Sequence, residues 1–514
     1  MIRDLLQSQP ESSTVADVCI VGAGAAGIVL AVDLARRGKR VLLLEGGGNE
    51  IEEASQDSYR SELTGLPHRG IHSGRFRAKG GTTNKWGGQI LELDVQDFEQ
   101  RPWIAESGWP FPKHELARFY ERALEYEGLA DVTREDEAVW REIGMRSVTF
   151  PSLVSYFSRW CPEPNFARLH RRTIEEHPGI TLWLHANAVE PLLEGEMMRG
   201  LRCRTLSGKN SVFRAGRFIF CLGGIESSRF FLQPHESGRP WNQSGLLGKH
   251  FQDHIDCNAA IVKPIDATSF HRIFDNVFSR GFKYHPKLRL SDKEQASRGT
   301  LNVAATMSFV SDVDETMMRL KSVAKHLLRG RIGELGVTDA VFTGRHLPLI
   351  ARQAYRYKLQ KRAYNPPESQ IFLRVHCEQE PTSRSSITLS EKRDALGLLR
   401  TNLDWRISGK ELDTIKQYVQ VATRSLAGIA HIIPDNTLLS GNADFLSRCD
   451  DSNHHMGGMR MSSSPTNGIV NPDLRLYGVN NVYVCSSAVF PTSGFSNPTH
   501  TVLALAMRLG EHLD

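Results

Sequence analysis

The chain has 514 residues, 40% hydrophobic and 24% charged, the balance of a folded globular protein large enough for two domains. Its net charge of +5 is too mild to mark a nucleic-acid binder, and no apolar run is long enough to span a bilayer. Met1 to Thr14 is polar and shows no signal-peptide pattern, so the expected location is cytoplasmic.

Val15 to Val21 is a short apolar run suited to a buried parallel strand. Gly22-x-Gly24-x-x-Gly27 follows and opens a helix to about Arg37, which Gly38 stops. Lys39 to Leu44 is the next strand, with Glu45 at its end. In this spacing the first glycine permits a tight turn. The second lets a pyrophosphate reach the backbone, and the third lets helix and strand pack closely. The helix start, with Ala25 and Ala26, binds phosphates through its free N–H groups. Glu45, about 20 residues beyond the turn and followed by Gly46, accepts hydrogen bonds from a ribose. An acid there suits an unphosphorylated ribose, which points to FAD or NAD. A βαβ unit that holds no nucleotide is the alternative.

Arg77 to Gly88 is a second glycine-rich stretch, with Gly80, Gly81, Thr82, Thr83, Asn84, Lys85, Trp86, Gly87 and Gly88. No strand precedes it and no helix follows, so it is not a P-loop. Glycine pairs around a tryptophan favour close approach to something flat, here a further part of a long cofactor. A flexible surface loop is the plainer reading. A helix is expected from about Lys113 to Gly128. Ile180 to Val189 and Val212 to Cys221 read as strands, the second closing on Gly223-Gly224 and a helix, a return to the nucleotide domain.

Leu247 to His254 reads as a structured loop whose histidines either reach a pocket or face solvent. From Ile371 to Glu380 polarity alternates. His376, Glu378 and Glu380 share one face and Val375, Cys377 and Gln379 the other, one of them turned to solvent or a pocket. The stretch 312–365 is an insert rich in Lys and Arg (Lys321, Arg329, Arg331, Arg352 and Arg356 among them) with leucines between. A solvated face is favoured there over a membrane contact, a partner contact or a lid. The eight cysteines lie far apart without a CxxC, several in apolar runs, which favours buried free thiols; no metal site is expected.

Val479 to Cys485 is a strand, followed by Ser486, Ser487 and a proline–glycine turn. Asn497-Pro498 then starts a helix as N-cap and first helical residue. Asn497 is either that cap alone or also a group aimed at a substrate hydroxyl, with the positive helix end near a reduced flavin ring. His454 sits in a glycine-rich turn near Arg460 and is a candidate general base, because imidazole titrates near neutrality. His455 competes for that role, and periodicity does not separate the two.

The set Gly22 to Gly27 with Glu45, Gly80 to Trp86, Cys221 to Ser228, His454 to Met461 and Ser486 to Thr499, in this order, resembles the glucose–methanol–choline (GMC) oxidoreductases over nearly the whole chain. The stretch Pro491 to Thr499 is most similar to their pyranose oxidase branch. The resemblance implies an α/β (α+β two-domain) fold: a Rossmann-type FAD-binding domain and a substrate domain with a mostly antiparallel sheet covered by helices. Residues 1–100, 180–258 and 449–514 would build the first, 101–179 cap segments, and 259–448 the second. It implies non-covalent FAD, because Lys85 stands where some pyranose oxidases carry a flavin-bonding histidine. Cys485 stands where the family often has an acid.

The resemblance also favours His454 as base, since His454 and Gly457 match the family's His-x-x-Gly pattern, and Asn497 as its catalytic partner. It extends the flavin contacts to Ala188, Val189, Gly223, Ser486, Ser487, Asn497, Pro498 and Thr499. Substrate contacts are expected from His376, Glu378, Gln379 and His455. The implied reaction oxidises a secondary alcohol of a sugar or glycoside, at pyranose C2 or C3, with hydride passing to flavin N5 and electrons going on to O2, a quinone or a protein. The alternatives are a dehydrogenase for a non-sugar alcohol and a flavin-bound lyase.

Overall fold

The computed structural model describes residues 1–10, 15–311, 313–328, 336–441 and 443–514, so Arg329, Arg331 and part of the polar N-terminal stretch lie outside the described residues. The fold is mixed α/β on two large sheets. The first has parallel strands in the order Ile2–Asp4, Ile180–Leu184, Val41–Leu44, Val15–Val21 and Asn210–Phe220, with Val482–Val484 also parallel to Asn210–Phe220. Val18, Ile20, Leu43 and Ile219 in its centre are fully buried, as strands covered on both faces must be. Helix Pro498–His512 packs against helices Ala25–Arg36 and Ala117–Tyr126. Each strand–turn–helix junction of this sheet therefore opens towards the same edge.

Two expected elements differ in detail. The run from Ile180 to Val189 is two strands, because His185 takes a left-handed conformation, φ +54°, and turns the chain. Asn187–Glu194 then pairs antiparallel with Met197–Arg204. The helix expected from Lys113 begins as a 3-10 turn, Lys113–Leu116, and is regular only over Ala117–Tyr126.

The second sheet runs Ala430–Pro434, Ile255–Pro264, Gln370–Cys377, Val303–Val310, Phe282–Leu290, Leu153–Trp160 and Gln89–Ile90, each pair antiparallel. One face is apolar. Leu288, Val303 and Val375 pack there under Ile415, Tyr418 and Ala422 of helix Lys410–Ser425. The Tyr418 hydroxyl closes the cover by donating to the Leu288 carbonyl at 2.9 Å. The other face is polar and looks towards the first sheet. In the insert, helices Val337–Arg345 and Leu347–Gln360 bury no residue, and Val337 and Leu359 are 82% and 72% exposed.

Candidate active site

A cavity of about 550 Å³ runs between the two sheets. Gly22, Gly24, Ala25, Ala26, Glu45 and Gly46 line its nucleotide end. Gly22 has φ +104°, a conformation that L side chains avoid. Gly27 does not line the cavity: a Cβ there would stand 1.9 Å from the Gly22 carbonyl oxygen, so its place is the helix–strand contact. The buried Glu45 carboxylate accepts from the N–H groups of Ala23 at 3.1 Å and Gly47 at 2.9 Å. Burial raises its pKa, against those N–H groups and the Arg77 charge.

The second glycine stretch lies directly on the first. Gly80 N–H donates to the Ala23 carbonyl at 2.8 Å, and a Cβ on Gly81 would stand 2.9 Å from Gly24 Cα. Gly81, Thr82, Thr83, Lys85, Trp86, Gly87 and Gly88 line the cavity. Gly80 and Asn84 hold the turn instead, the Asn84 amide donating to the carbonyls of Lys79 and Gly81 at 3.0 and 2.9 Å. Ala188 lines the cavity and Val189 points away, as alternation along a strand requires. Gly223, Ser486, Ser487, Pro498 and Thr499 line the middle, with Cys221 and Cys485 at two strand ends. Two stacked glycine turns, an open helix start and a buried acid in one continuous cleft fit FAD.

At the other end His454, His455 and Asn497 face the cavity. The Asn497 side chain makes no cap hydrogen bond to its helix. Its Nδ2 lies 3.0 Å from His454 Nε2. His454 Nδ1 lies 2.9 Å from His254 Nδ1. Both nitrogens of the His454 ring are thus positioned from opposite sides. Burial, then the neighbouring His254, His376 and Lys287, hold its pKa well below that of an ordinary histidine, so the ring is neutral at pH 7. His455 takes no part in this contact; its ring packs on His68 and Phe251.

Residues 381–506 match the family model described as GMC oxidoreductase, and residues 17–217 match the one described as FAD dependent oxidoreductase. The chain is an FAD-dependent oxidoreductase. Its reaction class is the oxidation of an alcohol. A relative over 97% of this chain and 95% of its own length is the 2-methyl-1,2-propanediol dehydrogenase of Mycolicibacterium austroafricanum, 20% identical. Pyridoxine 4-oxidase from Mesorbium loti has the same fold, with a TM-score of 0.59 at 16% identity over 96% of this chain and 98% of its own. A formate oxidase of Aspergillus oryzae RIB40 follows, with a TM-score of 0.56 at 15% identity over 98% of this chain and 99% of its own.

The reactive end of this oxidoreductase is held by groups far apart in sequence. Asp253, fully buried, accepts at Oδ1 from the N–H groups of His254, Ser452 and His454 at 2.7, 3.2 and 3.0 Å. Its Oδ2 takes His68 Nε2 at 3.1 Å. Ile71 N–H donates to His68 Nδ1, which leaves the His68 proton on Nε2 for Asp253. His68, Asp253 and His455 bring ligand-type atoms within 4.8 Å, and these hydrogen bonds account for the first two of them. The loop Leu247 to His254 is the sequence signal for this part of the site.

The polar face of the second sheet forms the opposite wall. Gln89 and Trp160 line the cavity, Gln89 donates to Ser158 Oγ at 2.6 Å, and the Tyr156 ring lies 5.9 Å from that of Phe495. His376 lies on this face, its Nε2 3.7 Å from Asp256 Oδ1. Two expected substrate contacts do not. The strand ends at Cys377, and Glu378 then turns inward to a fully buried two-point ion pair with Arg101 at 2.6 and 2.7 Å. Gln379, also fully buried, receives Asp253 N–H at 2.9 Å and Trp405 Nε1–H at 2.8 Å.

Proposed function

We propose that the chain oxidises a secondary alcohol of a sugar or glycoside, at pyranose C2 or C3, to a ketone, with His454 as the base. The observation that carries this reading is the 3.0 Å contact of His454 Nε2 with Asn497 Nδ2 inside the flavin cavity. An alcohol oxygen that comes to lie against both atoms meets a proton acceptor in Nε2 and a hydrogen-bond donor in Nδ2. Burial keeps His454 neutral, and Asn497 Nδ2, which can only donate, makes Nε2 the acceptor nitrogen with the lone pair for the hydroxyl proton. Asp253 fixes the His454 backbone and His254 fixes its ring. FAD, when bound, supplies the two-electron acceptor for the carbon-bound hydrogen. The polar opposite wall suits a substrate with several hydroxyl groups. The electrons pass on to O2, a quinone or a protein.

Lys85 at the cavity supports non-covalent flavin, and acid precipitation should leave FAD in the supernatant. A non-sugar alcohol oxidised by a dehydrogenase is the second reading, favoured by the diol dehydrogenase relative. The test is anaerobic mixing with sugars, glycosides and simple diols while the oxidised-flavin band is followed. Bleaching by a sugar supports the first reading and bleaching by diols alone the second. Admitting air then separates oxidase from dehydrogenase. No described helix is long and apolar enough to cross a membrane.

A further inference from the structure

The polar face of the second sheet holds a buried cation that makes no hydrogen bond or ion pair among the described residues. Strands Leu153–Trp160 and Phe282–Leu290 set Lys287 against Tyr156 and His285 against Ser158. Side chains alternate along a strand, so these four share the face on which Trp160 lines the cavity. Ala304 pairs with Arg289 on one side and His376 on the other, and His376 pairs with Asp256, which carries the face onward. Lys287 is 5% exposed, and among the described residues its ammonium makes no hydrogen bond or ion pair.

The acids of this wall are already committed. Arg374 Nε reaches both oxygens of Asp256, at 2.8 and 3.1 Å. Arg289 holds Asp292 at 2.6 Å and Asp94 at 3.4 Å. An unpaired buried ammonium is costly, and an anion brought by a ligand relieves that cost. Tyr156 Oη, Trp160 Nε1 and His285 Nδ1 are buried polar atoms with no partner on the same face. Burial keeps His254 and His376 neutral, with pKa values of about 3 and about 4. Lys287, pushed down to about 8 by burial, keeps its proton at neutral pH. Tyr156, the strand partner of Lys287, has its ring 5.9 Å from that of Phe495, on the same turn as Asn497, which brings this cluster towards the candidate base and its partner.

We propose that Lys287 binds a carboxylate on the substrate, with Tyr156 donating to it, so that the enzyme selects alcohols that carry an acid group. Among sugars these are uronic and aldonic acids, and otherwise hydroxy acids. This rests on the alcohol-oxidising reading of the cavity.

The test uses the holoenzyme and two matched pairs, D-glucuronate with D-glucose and lactate with 1,2-propanediol, followed by flavin bleaching and by KM and kcat. Propionate, which has no hydroxyl to oxidise, is titrated calorimetrically. The expected result is a lower KM for the acid in a pair, and propionate binding that Lys287→Met removes. Lys287→Met should raise the KM of the acid by about 30-fold or more, with a smaller change in kcat, and Lys287→Arg should recover part of it. Turnover of lactate without glucuronate would keep the proposal and sink the sugar reading. Glucose preferred to glucuronate would keep the sugar reading and overturn the proposal. Propionate that binds wild type and Lys287→Met alike overturns it too. If Lys287→Met does not fold, the wild-type preference within the pairs and propionate competition with the acid decide.

Discussion

The two walls of the flavin cavity are built by opposite means. The nucleotide wall is mostly backbone: two glycine turns stacked on each other, a helix start, and one carboxylate occupied by N–H groups. The substrate wall is side chains standing on the polar face of a sheet whose other face is core. A backbone wall recognises what every FAD shares. A side-chain wall recognises what differs between alcohols.

The largest break should come from the backbone wall. Gly27→Ala puts a Cβ 1.9 Å from the Gly22 carbonyl oxygen, so the purified protein is expected to carry no flavin; a normal ratio of flavin to protein absorbance would refute this. His454→Ala touches only the chemistry. It should keep its flavin and lose turnover by about 10²–10⁴, measured as the rate of flavin bleaching.

Glu378→Ala probes the boundary between site and scaffold. It leaves Arg101 buried without its partner, at a cost of about 3–5 kcal/mol in denaturant unfolding, and the flavin-loaded protein that remains should keep its KM. A raised KM at unchanged stability would return Glu378 to the substrate contacts. The smallest effect is on pH. Burial depresses the pKa of His454, and a base proposed to act in its neutral form keeps kcat/KM flat as pH falls through 6.5 and lets it drop only below. A fall centred at 6.5 would mean a histidine in water.

The contrast between the walls also decides how much the sequence tells. Gly22 to Gly27 with Glu45 is a local pattern, and the structure keeps it almost residue for residue. Asn497 reads as a cap or as a functional group, and the sequence shows neither its missing cap hydrogen bond nor its contact to His454, 43 residues away. His454 makes that contact and His455 does not. Asp253 and His68 are 185 residues apart, and Asp253 reaches the His454 N–H across 201, so no spacing rule reveals them. Alternation puts His376 on the polar face of its strand and does not carry on to Glu378, because the strand has ended and a long-range cation captures the acid. The stretch Phe282–Leu290 did carry a legible signal: Lys283, His285, Lys287 and Arg289 alternate with Tyr284, Pro286, Leu288 and Leu290.

That alternation has an evolutionary consequence. Leu288 belongs to the core under helix Lys410–Ser425, while Lys287 and Arg289 on either side of it face the other way. Selection can therefore rewrite the odd-numbered positions of this strand while the even-numbered ones go on holding the sheet. If Lys287 reads the substrate as proposed, a single substitution on this strand changes which alcohols are accepted while flavin and fold are inherited intact.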